Sequence, residues 1–172
     1  MVEPTLESMS ALIGKLERQL AAPESGLPEA MFLLVSRVTP LVNVDLLIQD
    51  DQHGTVLTWR SDRFYGPGWH VLGGIVRYKE TMSERIHQVA RTELGASIEF
   101  ERAPLLISES ILRDKRDRAH FISFLYRCRL TSALDATRKF STHTPVSGHW
   151  CWHHRCPDNL ISEQCGYATF LG

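Results

Sequence analysis

Apolar residues recur along the first segment at Leu6, Met9, Ile13, Leu16 and Leu20, at steps of 3, 4, 3 and 4. That spacing puts them on one face and predicts an amphipathic helix over residues 5–21. The stripe covers only about two heptads, so it either packs on its own domain or meets a second copy in a homodimer. Ala21 to Gly26 reads as a linker. A second helix starts at Pro28-Glu29, where Pro suits the first turn and Glu the positive end of the dipole. It stops near Arg37, because Pro40 follows. Leu41 to Ile48 is an apolar strand, Asp50 to Gly54 a turn, and Thr55 to Trp59 the hairpin partner.

Arg60 to Gly68 is a loop rich in Arg, aromatics and Gly. Trp69 to Leu72 predicts a short strand ahead of Gly73-Gly74, and Ile75 to Lys79 stays extended. Residues 81–94 form a helix closed by Gly95, with Thr81 or Ser83 as its cap. Strands are expected near Leu105–Glu109 and over His120–Leu130, where Ile122, Phe124 and Tyr126 alternate with polar positions. Residues 149–153 make a last strand, and the chain from Pro157 onward forms a helix ending in Phe170-Leu171. No internal repeat is visible.

With 172 residues, 43% of them hydrophobic and 23% charged, the chain has the make-up of one globular domain. The division expected is an N-terminal helix and linker over 1–26 and one domain over 27–172. Lys and Arg total 19 against 20 for Asp and Glu, which argues against a nucleic-acid coat or a polybasic membrane binder. No apolar run approaches the roughly 18–20 residues of a membrane span. No signal peptide shows at Met1 to Thr5. A cytoplasmic protein is expected, with its four cysteines as thiols.

The residue that stands out is Glu93. Met82, Ile86, Val89 and Ala90 form the apolar stripe of the 81–94 helix, and Glu93, seven residues after Ile86, falls only about 20° from it. It also sits in the last turn, where the helix dipole disfavours a carboxylate by about 0.3–1 kcal/mol. Either the stripe runs out into solvent there, or the carboxylate is held toward a site, most usefully as a ligand for a hard cation.

The stretch Gly73 to Ala96 resembles the box of the Nudix hydrolases, G-x5-E-x7-R-E-U-x-E-E-x-G-U with U a bulky aliphatic residue. Gly74, Glu80, Glu93 and Gly95 stand at the matching spacing, whereas Gln88, Val89 and Thr92 replace the Arg and two of the Glu residues. Beyond the box, Thr39 to Leu46, Arg60-Ser61-Asp62-Arg63, Gly68 to Gly74 and Glu93-Leu94-Gly95 resemble the GDP-mannose mannosyl hydrolase branch. The resemblance covers about residues 27–170. It implies an α/β fold, the Nudix α/β/α sandwich with a mixed sheet, carrying an extra N-terminal helix.

It further implies hydrolysis of a nucleoside-diphosphate sugar by water attack at the glycosyl carbon, with one Mg²⁺ (Mn²⁺ as its substitute) on the leaving diphosphate. Glu93, a carbonyl of Gly73 or Gly74, and secondarily Glu80 are the implied metal ligands. The implied base is a histidine just before the last strand, for which His149 and His143 both qualify. Arg60 binds the diphosphate and acts in catalysis, with Arg63 beside it, since guanidinium forks suit its oxygens. Asp45 and His120 match residues near the sugar, and Arg77 stands close to the place of an Arg the branch carries where this chain has Ile75. A hydrolase cutting the diphosphate itself and a non-catalytic nucleotide-sugar-binding protein are the alternatives. Cys and His crowd residues 149–165, but Cys151-x4-Cys156 with a distant Cys165 is not a standard zinc spacing.

Overall fold

The computed structural model describes residues 6–20, 26–141 and 143–172. Apart from Gly26, the expected linker lies outside them. Helices α1 (Leu6–Glu17) and α2 (Glu29–Val38) precede β1 (Leu41–Asp50), β2 (Gly54–Arg60), β3 (Gly68–His70) and β4 (Leu72–Ile75). Helix α3 (Met82–Leu94) follows, then β5 (Ile98–Phe100), β6 (Leu106–Ile111), β7 (His120–Leu130) and β8 (Trp150–His153). No helix among the described residues is long and apolar enough to cross a membrane.

β1 organises the sheet. It pairs antiparallel with β4 and parallel with β7, which in turn carries β5 and β6 antiparallel. β2 pairs with β3 and β8. Val44 through Ile48 are buried without a break, as expected of a strand covered on both faces. On one face Val44, Leu46 and Ile48 pack against Ile86, Val89 and Leu94 of α3. Ile86 and Leu94 are fully buried and contribute about 1.5–3 kcal/mol each. On the other face Leu47 packs with Val71, Leu125, Tyr167 and Leu171. By the two-residue period of the strand, Asp45 shares this second face.

Helix α3 forms where the 3.6-residue stripe places it. Thr81 is the cap: its Oγ1 accepts from the Glu84 N–H at 3.2 Å, and Glu84 accepts from the Thr81 N–H at 2.8 Å. Gly95 ends the helix at φ +63°, a left-handed conformation that glycine adopts without a Cβ penalty.

Several expectations are corrected. β1 and β2 pair only at their turn, Gln49 with Thr55 and Asp50 with Gly54, because β4 and β7 occupy both edges of β1 beyond it. Residues 69–72 do not make one strand: the chain switches at Val71 from pairing with β2 to pairing with β1. β5 was not expected, being three residues long. The C-terminal segment forms a 3₁₀ helix over Ser162–Phe170, since Cys165, Gly166 and Thr169 are weak helix formers. The apolar stripe of α1 does not bury itself on the domain. Met9, Ile13 and Leu16 stay 42–49% exposed, because α3 and the C-terminal segment already close the core.

Candidate functional site

A cavity of about 670 Å³ opens beside the second face of β1. β1 contributes Asp45, β2 Thr58 and Arg60, β4 Gly73 and Gly74, and α3 its last-turn Glu93. The C-terminal 3₁₀ helix closes the far wall.

Glu93 reaches this cavity because it continues the buried stripe of α3. Its Oε2 accepts from Thr58 Oγ1 at 3.0 Å, and the same hydroxyl meets His70 Nδ1 at 3.1 Å. Burial pushes the Glu93 carboxyl up to about 7, against the opposing pull of Thr58 and the Arg60 charge. Asp45 accepts from Tyr167 OH at 2.7 Å and from Asn43 Nδ2 at 2.9 Å. Burial still lifts it to about 6. His70 is driven the other way, to about 3, because burial and then the Arg60 charge disfavour its cation.

Gly73 lies opposite Asp45 in the β1–β4 register. A Cβ there would stand 2.2 Å from Asp45 Oδ1, so only glycine lets the carboxylate and the β4 backbone come this close. Among the described residues, no three His, Cys, Asp or Glu side chains stand together as a metal-binding group. A many-carboxylate cage does not fit this site. A single hard cation is compatible with it, since Glu93 presents a carboxylate oxygen to the cavity and has no ion-pair partner among the described residues.

The Arg60 charge acts on Asp45, His70 and Glu93 alike. Arg60 donates from Nε to Asp62 at 2.6 Å and stacks on Tyr65, its Cζ 4.6 Å from the ring centre. Asp62 in turn accepts from the N–H groups of Phe64 and Tyr65, which fixes the loop after β2.

The structure brings Asp45, Arg60, Gly73, Gly74 and Glu93 to one cavity. The other sequence-derived candidates do not line it. Glu80 accepts from Arg85 Nε and from the Arg77 N–H, both at 2.8 Å, so its carboxylate bonds to the start of α3. Arg63 pairs with Glu29 and stacks on Phe64. The Arg77 side chain lies beside Gly26. His120 meets Glu109 at 2.9 Å. His143 is exposed, with φ +75°. The His149 backbone bonds Trp59 and Val146, while Ser147 and Gly148 beside it form the cavity wall.

Sequence reasoning missed Thr58, His70, Arg118 and the whole C-terminal wall. Within that wall Glu163 pairs with Lys115 at 2.5 Å, and Tyr167 bonds Asp45. Gln164 places its carboxamide on both backbone groups of Val71, at 2.7 and 3.0 Å, supplying the partners that the strand switch leaves open.

No family model matches the chain. The low-salt glycan biosynthesis protein Agl8 of Haloferax volcanii is 31% identical over 83 residues, 48% of this chain and 53% of that protein. The chain thus matches about half the length of that curated relative. Among solved structures, a UDP-X diphosphatase covers 96% of this chain and 77% of its own, at 17% identity and a TM-score of 0.57. A NUDIX hydrolase from Nitrosomonas europaea covers 60% and 67%, at 19% identity and a TM-score of 0.50. A MutT protein from Methanosarcina mazei covers 66% and 77%, at 15% identity and a TM-score of 0.50. Strand order, the helix over the sheet and these likenesses agree on one architecture: the chain has the fold of the Nudix hydrolases, an α/β/α sandwich around a mixed sheet.

Proposed function

We propose that this protein is a divalent-cation-dependent hydrolase of a nucleoside-diphosphate sugar, and that water attacks the glycosyl carbon. The observation that carries the reading is the solitary position of Glu93. It is the one box carboxylate that lines the cavity, while Glu80 is bonded to Arg85 and Arg77 outside it. One cation suffices when the phosphorus is not the reacting centre.

Glu93, with a backbone carbonyl at Gly73 or Gly74, would hold Mg²⁺, which when bound neutralises charge on the departing diphosphate. Arg60 holds the diphosphate oxygens from the β2 side. Asp45 and Tyr167 offer oxygens that recognise sugar hydroxyls. His149, which stands just behind the cavity wall formed by Ser147 and Gly148, takes the proton of the attacking water through a relay across that wall. Its Nδ1 accepts a single long bond, 3.3 Å from the Val146 N–H. His149→Ala is expected to lower kcat by about 100-fold or more, and His143→Ala by less than about twofold. Steady-state rates of the two variants check this, and equal losses would remove His149 from the role.

Cleavage of the diphosphate is the second reading, favoured by the UDP-X diphosphatase whose fold covers 96% of this chain. Hydrolysis in ¹⁸O-water separates the two. Label in the sugar, with inversion at the anomeric carbon, is the expected result. Label in a phosphate product would establish attack at phosphorus.

A further inference from the structure

We propose that Arg118 is a second phosphate-binding residue of the cavity, forming with Arg60 a pair of guanidinium groups beside Tyr65 that grips the diphosphate. The proposal rests on the nucleotide-sugar reading for the identity of the phosphate and on Arg118's own surroundings for its place.

Arg118 belongs to the loop between β6 and β7 and lines the cavity. Its Cζ lies 5.0 Å from the centre of the Tyr65 ring that Arg60 approaches at 4.6 Å. Lys115 Nζ approaches the same ring at 4.2 Å. The acids nearby are already engaged, Asp62 by Arg60 and Glu163 by Lys115. Arg118 has no ion-pair partner among the described residues, and its Nε is buried without a hydrogen bond. A buried donor of this kind costs stability unless something satisfies it. Burial and the adjacent Arg60 charge also hold the Arg118 guanidinium below its usual range. An oxyanion within reach of both guanidinium groups would give Arg118 the counter-charge it lacks and relieve the repulsion.

The residue is held in position, which is what a binding group requires. Its N–H donates to Ser36 Oγ at 3.1 Å, and its carbonyl accepts from Tyr65 OH at 2.7 Å. Arg37 fixes the preceding Asp117 at 2.7 Å. Phe64 and Phe32 lie against the guanidinium, their ring centres 5.1 and 5.7 Å from its Cζ. These contacts keep the backbone of Arg118 at φ +53° and fix the base of its side chain. Phosphate fits better than a carboxylate, because its tetrahedral oxygens accept from two forks at once.

The test is calorimetric titration of inorganic pyrophosphate into the full chain with chelator present, so that no cation at Glu93 contributes. Arg118→Met keeps the bulk of the side chain over the aromatic rings and removes its donors. It is expected to weaken pyrophosphate binding by about tenfold to 100-fold, with Arg118→Lys recovering part of the loss. Unchanged affinity in Arg118→Met overturns the proposal, and so does a site that takes glucuronate in place of pyrophosphate. The unsubstituted protein gives an independent reading, the Nε–H resonance of Arg118 by ¹⁵N NMR. A shift on saturation with pyrophosphate supports the assignment, and an unmoved signal refutes it even where a variant fails to fold. Arg118-dependent binding without turnover of any nucleotide sugar would sink the functional reading alone. Turnover with no Arg118 effect would sink this proposal alone.

Discussion

Glu93→Gln is expected to abolish cation-dependent turnover, by about 1000-fold, and at the same time to make the cation-free protein more stable at pH 8. The two effects share one cause. In the folded chain the carboxyl is raised from 4.5 to about 7, so across that window the folded state keeps a proton that the unfolded chain has released. The stability this contributes is fully present below pH 4.5 and is lost as the pH rises through 7. Above 7 the fold carries a buried anion, at a cost of up to about 3 kcal/mol. Glutamine has nearly the same shape and no charge, so it removes that cost. Thermal melts in chelator should show the variant above wild type at pH 8 and level with it near pH 4.5. Added Mg²⁺ should raise the melting temperature of the wild type alone. A variant that melts lower at pH 8 and retains the Mg²⁺ response would return Glu93 to a packing role.

On the proposed reaction, Arg60→Ala should lower kcat/KM by about 100- to 1000-fold, through both a higher KM and a lower kcat, because charge would grow on a departing diphosphate. A pH signature accompanies the loss. The Arg60 charge lowers both Asp45 and Glu93, so without it both carboxyls rise further and need a higher pH to ionise. The acidic limb of the kcat/KM profile should therefore move upward. Arg60→Lys should restore most of the limb, which responds to charge, and less of kcat/KM, which depends on the planar fork. Kinetics across pH 5–9 check both parts. A profile of Arg60→Ala that overlies the wild type would remove Arg60 from the site.

Glu93 stood out in the sequence for a physical reason, because it broke the local rules of an otherwise well-formed helix, whereas Arg60 was singled out only by the resemblance of its loop to the family's. Helix α3, with its cap and its closing glycine, and strand β7 were equally legible, since their periods and termini are written within a dozen residues. The remainder of the site was not local. Tyr167 bonds Asp45 across 122 positions, and Gln164 meets Val71 across 93. Nothing in Ser162–Phe170, a weak helix with little periodicity, signals those partners. Arg118 was hidden by its neighbours, because Arg113 to Arg118 mixes both signs of charge like any solvated loop. The strand switch at Val71 was invisible for a related reason: the short extended run Trp69-His70-Val71-Leu72 does not say which neighbour each half will join.

The manner in which Val71 is completed sets an order of events during synthesis. Its open backbone groups lie between two early strands, yet the carboxamide that fills them arrives after every strand of the sheet has been made. A nascent chain still lacking residues 162–170 can assemble β1, β4 and β7 but leaves the Val71 groups and one side of Asp45 to water. The cavity is thus closed only after the sheet is made, when residues 162–170 settle against it. Catalytic competence should trail the formation of the sheet, and ribosome-stalled chains that already resist protease across β1–β7 should still show no turnover.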